Sequence, residues 1–262
     1  MTSRIAAAFS EHGKRAALMP YLMGGFPDLD GSRAILAACV AAGADLIELG
    51  VPFSDPLADG PVIHAAATRA LAQGTTVDEV LGLCELSAGG PPICLMVYAN
   101  IVLAQGAEHF VARAVDAGAA GLIVPDLPHD EAGELRQACD ARGLALVPLV
   151  APATTPARLA AIGADARGFV YAVSLPGTTG ERVELPPELP RQVAAARAVT
   201  DLPVAVGFGI ATAAQARQVG TLADGVIVGS RIVRAAGEGG AEAVAVLVRE
   251  LAEALSDRSM TG

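Results

Sequence analysis

The chain has 262 residues, 53% of them apolar and 18% charged, enough to bury a full core, which excludes a disordered tail protein. Its 28 acidic residues outweigh 18 basic ones for a formal net charge of −10, with the arginines scattered singly, so nucleic acid and anionic membrane are poor partners. Cys39, Cys84, Cys94 and Cys139 form no C-x-x-C pair and have no histidine at ligand spacing, which fits core packing in a reduced, cytoplasmic setting.

At the N-terminus Ile5 and Phe9 stand four apart on one face of a short helix, in an apolar run too brief for a secretory signal. Runs rich in β-branched residues then recur at Leu18–Met23, Asp45–Gly50, Ile93–Val97, Gly121–Pro125, Leu144–Leu149, Gly168–Val173, Pro203–Gly207 and Gly225–Gly229. They alternate with Ala-, Leu- and Arg-rich stretches of helical spacing, such as Ser32–Ala42, Glu108–Ala117, Glu131–Ala141 and Ala213–Val219. The longest uncharged stretch, Leu86–Ala107, contains Gly89-Gly90-Pro91-Pro92 and Asn100 and does not read as a membrane span.

Strands such as Ile93-Cys-Leu-Met-Val97 are continuously apolar, as parallel strands covered on both faces must be. Eight β-then-α units predict an α/β fold with one domain over residues 1–262: a (β/α)8 TIM barrel with an extra N-terminal helix. A doubly wound sheet would place G-x-G-x-x-G after the first strand, whereas the nearest match, Gly207-Phe-Gly209, follows the seventh. The steps from Asp45 to Ile93, 48 residues, and from Gly168 to Pro203, 35 residues, are oversized. They predict long βα loops after strands 2 and 6, on the face where barrels carry function.

Alternation along Asp45-Leu-Ile-Glu-Leu-Gly50 puts Glu48 on the face of Leu46 and Gly50, opposite Ile47 and Leu49. If that face is the inner one, Glu48 is a carboxyl desolvated among apolar strands and suited to proton delivery near neutral pH; otherwise it is a structural glutamate paired with an arginine. The next segment, Val51-Pro-Phe-Ser-Asp-Pro-Leu-Ala-Asp-Gly-Pro61, holds Asp55 and Asp59, which either bring a second carboxylate to the site or cap turns. Gly207-Phe-Gly209 and Gly229-Ser230 follow the last two strands, where barrels bind phosphate on backbone N–H groups; Gly177-Thr-Thr-Gly180 is a third contributor. Lys14, the only lysine, precedes the first strand, which argues against Schiff-base chemistry. His12, His64, His109 and His129 lie apart and outside the strands, so no metal site is expected. A phosphorylated substrate whose bond breaks without amine or metal must carry its own electron sink, and an electron-rich ring protonated at carbon would serve.

The segment Ile47-Glu-Leu-Gly-Val-Pro-Phe-Ser-Asp-Pro-Leu-Ala-Asp-Gly-Pro61 resembles the signature of the tryptophan synthase α subunit family. Support comes from Gly25–Asp28, Tyr98–Asn100, Pro125–Pro128, Ala151–Pro156, Gly207–Ile210 and Val228–Ser230, the similarity running from about Ile5 to Arg249. The resemblance implies retro-aldol cleavage of indole-3-glycerol phosphate to indole and glyceraldehyde 3-phosphate. It implies Glu48 as general acid–base and Asp59 as the carboxylate for the indole N–H, with Asp55 near the β-subunit contact. Tyr171 would line the cavity, Thr179 would close the sixth loop onto Asp59, and Gly180, Gly209, Gly229 and Ser230 would hold the phosphate. The implied assembly is an α2β2 complex that passes indole to a pyridoxal-phosphate β subunit, with no cofactor in this chain. Tyr21, Met23 and Ile101 stand where relatives often carry Phe, Thr and Pro, and Arg182 and Glu184 also differ. A stand-alone indole-3-glycerol phosphate lyase, a phosphosugar isomerase and a non-catalytic activator of a β subunit are the alternatives.

Overall fold

The computed structural model describes residues 3–87, 89–173, 185–207 and 209–256. Its strands are β1 (Ala17–Met23), β2 (Ile47–Gly50), β3 (Ile93–Met96), β4 (Gly121–Ile123), β5 (Ala145–Val147), β6 (Leu149–Val150), β7 (Val170–Val173), β8 (Val204–Gly207) and β9 (Gly225–Val228). All neighbours pair in parallel, in the order β5-β4-β3-β2-β1-β9-β8-β7-β6.

The predicted strand Leu144–Leu149 is two pieces, β5 and β6, which pair with β4 and β7 respectively. The break is Pro148, which has no N–H to offer a ladder, while its carbonyl accepts the Tyr171 N–H at 2.9 Å. One segment therefore passes from one neighbour to the other, and the nine strands fill eight positions around a barrel.

Side-chain alternation sorts the strands into two packing zones. Met19, Leu46, Cys94, Ile123, Phe169 and Ile227 meet inside the barrel, whereas Leu18, Ile47, Leu49, Leu95, Val206 and Val228 face the helices. Those helices are α1 (Arg4–Ser10), α2 (Leu29–Ala41), α3 (Pro61–Ala72), α4 (Val77–Glu85), α5 (Ala99–Gln105), α6 (Ala107–Asp116), α7 (Gly133–Arg142), α8 (Pro156–Asp165), α9 (Leu189–Arg197), α10 (Ala213–Gly220) and α11 (Ser230–Ser256), the last broken at Gly239-Gly240. Among the described residues no helix is long and apolar enough to cross a membrane, and Leu86–Ala107 contains β3 and α5.

Local signals set the helix starts. Asp28 accepts the Gly31 N–H at 2.7 Å to cap α2, Thr76 and Glu79 form a capping box on α4, and Thr212 and Gln215 do so on α10. Thr155 caps α8 with Pro156 in its first turn, so parts of two stretches that carry the family resemblance serve the scaffold. The oversized step after β2 is only partly loop. Residues 51–60 are irregular, and α3 and α4 occupy most of the rest.

Helix α1 closes the amino-terminal end of the barrel: Ile5 is 2% exposed in the interior cluster, and the Phe9 ring lies 5.4 Å from Phe169. Lys14 works at this end too. Its ammonium donates to Asp45 at 2.9 Å and to the Gly43 carbonyl at 2.7 Å, while Asp45 also accepts the Leu18 N–H at 2.7 Å.

Candidate active site

Glu48 lies on β2 with its side chain inside the barrel, because Leu46 on the same face belongs to the interior cluster and Ile47 and Leu49 to the outer one. It is 1% exposed, and neither carboxyl oxygen has a hydrogen-bond partner among the described residues. The arginine-paired alternative is thereby set aside. Burial in this apolar wall, helped by nearby Asp59, pushes the Glu48 carboxyl up to about 8, so at neutral pH it is mainly protonated.

Asp59 approaches from the 51–60 loop. Burial pushes its carboxyl up to about 6, against the lowering effects of a hydrogen bond from the Tyr98 hydroxyl and the nearby His64. The two acids are therefore unequal near pH 7: Asp59 is mostly ionised and Glu48 mostly protonated. Tyr98 fixes the loop twice, since its hydroxyl oxygen also accepts the Ala58 N–H at 3.1 Å, and its ring stacks on Phe53 at 5.2 Å. Just beyond, Asp126 accepts the Ala99 N–H at 2.8 Å. Asp55 sits on the outer part of the loop, exposed and hydrogen-bonded to Ser54, beside Leu57, whose side chain is 84% exposed.

The chain has three tyrosines, and all three surround these acids. Tyr21 on β1 is the register partner of Glu48, and Tyr171 on β7 is buried in the interior cluster. Each phenol leans over a glycine of the next strand. A Cβ on Gly50 would stand 2.1 Å from the Tyr21 hydroxyl, and one on Gly207 2.3 Å from that of Tyr171. Only glycine leaves room at either place.

At the neighbouring rim, β8 pairs with β9, so the turns that follow them lie side by side. Gly209 adopts φ +76, and Gly229 immediately precedes Ser230, the first residue of α11. First-turn N–H groups of a helix lack intrahelical acceptors and carry its positive end, which suits an anion. The structure thus brings Glu48, Asp59, Tyr171, Gly209, Gly229 and Ser230 to the carboxyl-terminal end of the barrel, with Asp55 on its outer edge. Gly177, Thr178, Thr179, Gly180, Arg182 and Glu184 lie outside the described residues.

The contacts of Tyr98 with the loop and the seating of the Tyr21 hydroxyl over Gly50 are not evident from spacing, although one signal was present. With so few aromatic residues, each tyrosine falls on or one residue beyond a predicted strand.

Fold and site define the class: a (β/α)8 barrel with two carboxyls of unequal acidity at its mouth. The family model for the tryptophan synthase alpha chain matches residues 8–260. The tryptophan synthase alpha chain of Synechococcus elongatus is 50% identical, with 95% of this chain and 94% of that protein covered. That of Synechocystis is 46% identical, covering 96% and 99%. A solved Mycobacterium tuberculosis tryptophan synthase chain superposes with a TM-score of 0.92 at 41% identity, covering 98% of this chain and 99% of that one. The chain belongs to the tryptophan synthase alpha chain family. Its reaction is a lyase step, cleavage of indole-3-glycerol phosphate to indole and glyceraldehyde 3-phosphate, and the pyridoxal phosphate of the pathway's next step belongs to the β subunit.

Proposed function

We propose that this cleavage is carried out by Glu48 and Asp59 within one barrel domain, residues 1–262, in the cytoplasm. The observation that carries the reading is the inequality of the two acids, one protonated inside the barrel with no hydrogen-bond partner among the described residues, the other ionised on the facing loop.

Glu48 delivers its proton to the indole carbon that bears the side chain. The ring becomes cationic, and Asp59 accepts its N–H and stabilises the charge. The newly formed Glu48 carboxylate then takes the proton of the adjacent hydroxyl as the carbon–carbon bond breaks, releasing the aldehyde and restoring indole. One proton is given and one returned, so a single carboxyl with accessible acid and base forms suffices. Tyr171 packs against the ring, and Gly209, Gly229 and Ser230 hold the phosphate, the parts expected of Thr179 and Gly180 resting on the family resemblance alone. The partner is a β subunit in an α2β2 complex, met in part by the exposed loop edge at Asp55.

The test is indole release by the wild type and by Glu48→Gln, each with and without a β subunit. The expected result is loss of release in the variant with β-subunit binding retained. Near-normal release by Glu48→Gln overturns the assignment. Full-speed release by the wild type alone, with no response to β, replaces the complex by a stand-alone lyase, and activation of β without any cleavage leaves an activator.

A further inference from the structure

Two capping boxes stand among the described residues, and they are built differently. On α4 the box is acidic and exposed: the Glu79 carboxylate accepts the Thr76 N–H at 2.8 Å and the Thr76 hydroxyl at 3.0 Å, both groups of the cap residue itself. On α10 the box is neutral and buried. Gln215 is 7% exposed, and its side-chain carbonyl accepts the Thr212 N–H at 3.2 Å and, one residue further back, the Ala211 N–H at 2.8 Å. Its own N–H donates to the Thr212 hydroxyl at 3.2 Å. The shortest of these bonds lies outside the helix, so Gln215 also fastens the turn that leads into it. That turn starts at Gly209, φ +76, is anchored through Ile210 in the outer core, and follows β8, whose pairing with β9 sets it beside Gly229 and Ser230. Buried polar side chains are scarce among the described residues: Ser32, Glu48, Ser87, Gln215 and Ser230, of which the last two flank this rim.

We propose that Gln215 is a positioning residue for the substrate's phosphate, a role that rests on reading Gly209, Gly229 and Ser230 as the phosphate site. Its amide holds the backbone of residues 209–212 in place, and its neutrality keeps negative charge away from the anion. A carboxylate would cap α10 as Glu79 caps α4, and a helix N-terminus favours negative charge. Beside the phosphate, however, a buried carboxylate would repel the ligand where water and salt screen poorly. Capping alone gives no reason for an amide here, whereas an anion held by the adjoining turn does.

The experiment measures, by calorimetric titration of the whole chain, the affinities of an indole-bearing alkyl phosphate and of the corresponding alcohol at low and high salt. The wild type should favour the phosphate. In Gln215→Glu, which keeps the cap, the phosphate should bind about tenfold more weakly at low salt, with most of the loss gone at about 1 M salt. The alcohol should bind within about twofold of the wild type, and KM for indole-3-glycerol phosphate should rise while kcat stays within about twofold. In Gln215→Leu, which removes the acceptor, the phosphate should lose about three- to tenfold at either salt, the alcohol again holding. Glu79→Gln, the opposite exchange on α4, should alter neither ligand. Unchanged phosphate affinity in either Gln215 variant overturns the proposal. So does a loss in Gln215→Glu that salt does not reduce, or an equal weakening of alcohol and phosphate, which marks a general loosening of the barrel. A wild type that binds alcohol and phosphate equally removes the phosphate site itself, a failure visible before any variant is made.

Discussion

The two ends of this barrel are built on the same inward-facing alternation and used in opposite ways. At the amino-terminal end, Ile5 and Phe9 of α1 meet Phe169, Met19 and Leu46 in an apolar plug, and the chain's one lysine is tied to Asp45. At the other end the strands and the turns just beyond them present three phenols, glycines where side chains would block them, and Glu48 with no hydrogen-bond partner among the described residues. Filling and pairing at the closed end contribute stability. The open end carries a desolvated acid that destabilises the fold and is useful for that reason.

The sharpest way to break the contrast is Glu48→Gln, which removes one acid–base group and should lower indole release by about 10²–10⁴-fold. At the closed end, Ile5→Ala should cost about 2–4 kcal/mol in unfolding free energy while leaving kcat/KM within about twofold. Chemical denaturation and steady-state assays read both, and a large catalytic loss without destabilisation in Ile5→Ala would erase the division of labour. Next is the cost of the acid itself. Because the folded carboxyl titrates near 8, well above an unfolded glutamate, wild-type stability falls as pH rises from about 4.5 through 8. Glu48→Gln lacks this loss and should exceed the wild type at pH 9 by several kcal/mol, on the order of 5 for the whole shift, with no such gain at pH 4. Equal stability of the two proteins at pH 9 would show that the carboxyl is not desolvated. The smallest effect is expected for Tyr98→Phe, which removes a donor to Asp59. The acidic limb of kcat/KM should move upward and activity near pH 6 should fall by a few-fold, about 0.5–1.5 kcal/mol.

Period-two spacing in the second strand was enough to group Glu48 with Leu46 and apart from Ile47 and Leu49. The alternation could not say which face was inside. That depended on the whole ring closing. Pro148 shows the limit from the other side: Leu144–Leu149 reads as one buried strand, and only the transfer of pairing from β4 to β7 divides it. The long step after β2 concealed two helices, although Pro61 and the Thr76–Glu79 box announce their starts. Contacts that complete the site were beyond local pattern. Tyr98 reaches the Ala58 N–H across 40 residues of sequence, and the Tyr21 hydroxyl meets the gap at Gly50 through a register between strands.

The pH dependence of kcat/KM for indole release addresses the central claim most directly, because the mechanism needs Asp59 ionised and Glu48 protonated in the free enzyme. The account predicts a bell with limbs near 6 and near 8, the lower limb vanishing in Asp59→Asn. A rate that rises steadily through pH 9 would mean that the unprotonated form of the buried carboxyl starts the reaction, contradicting proton delivery from Glu48.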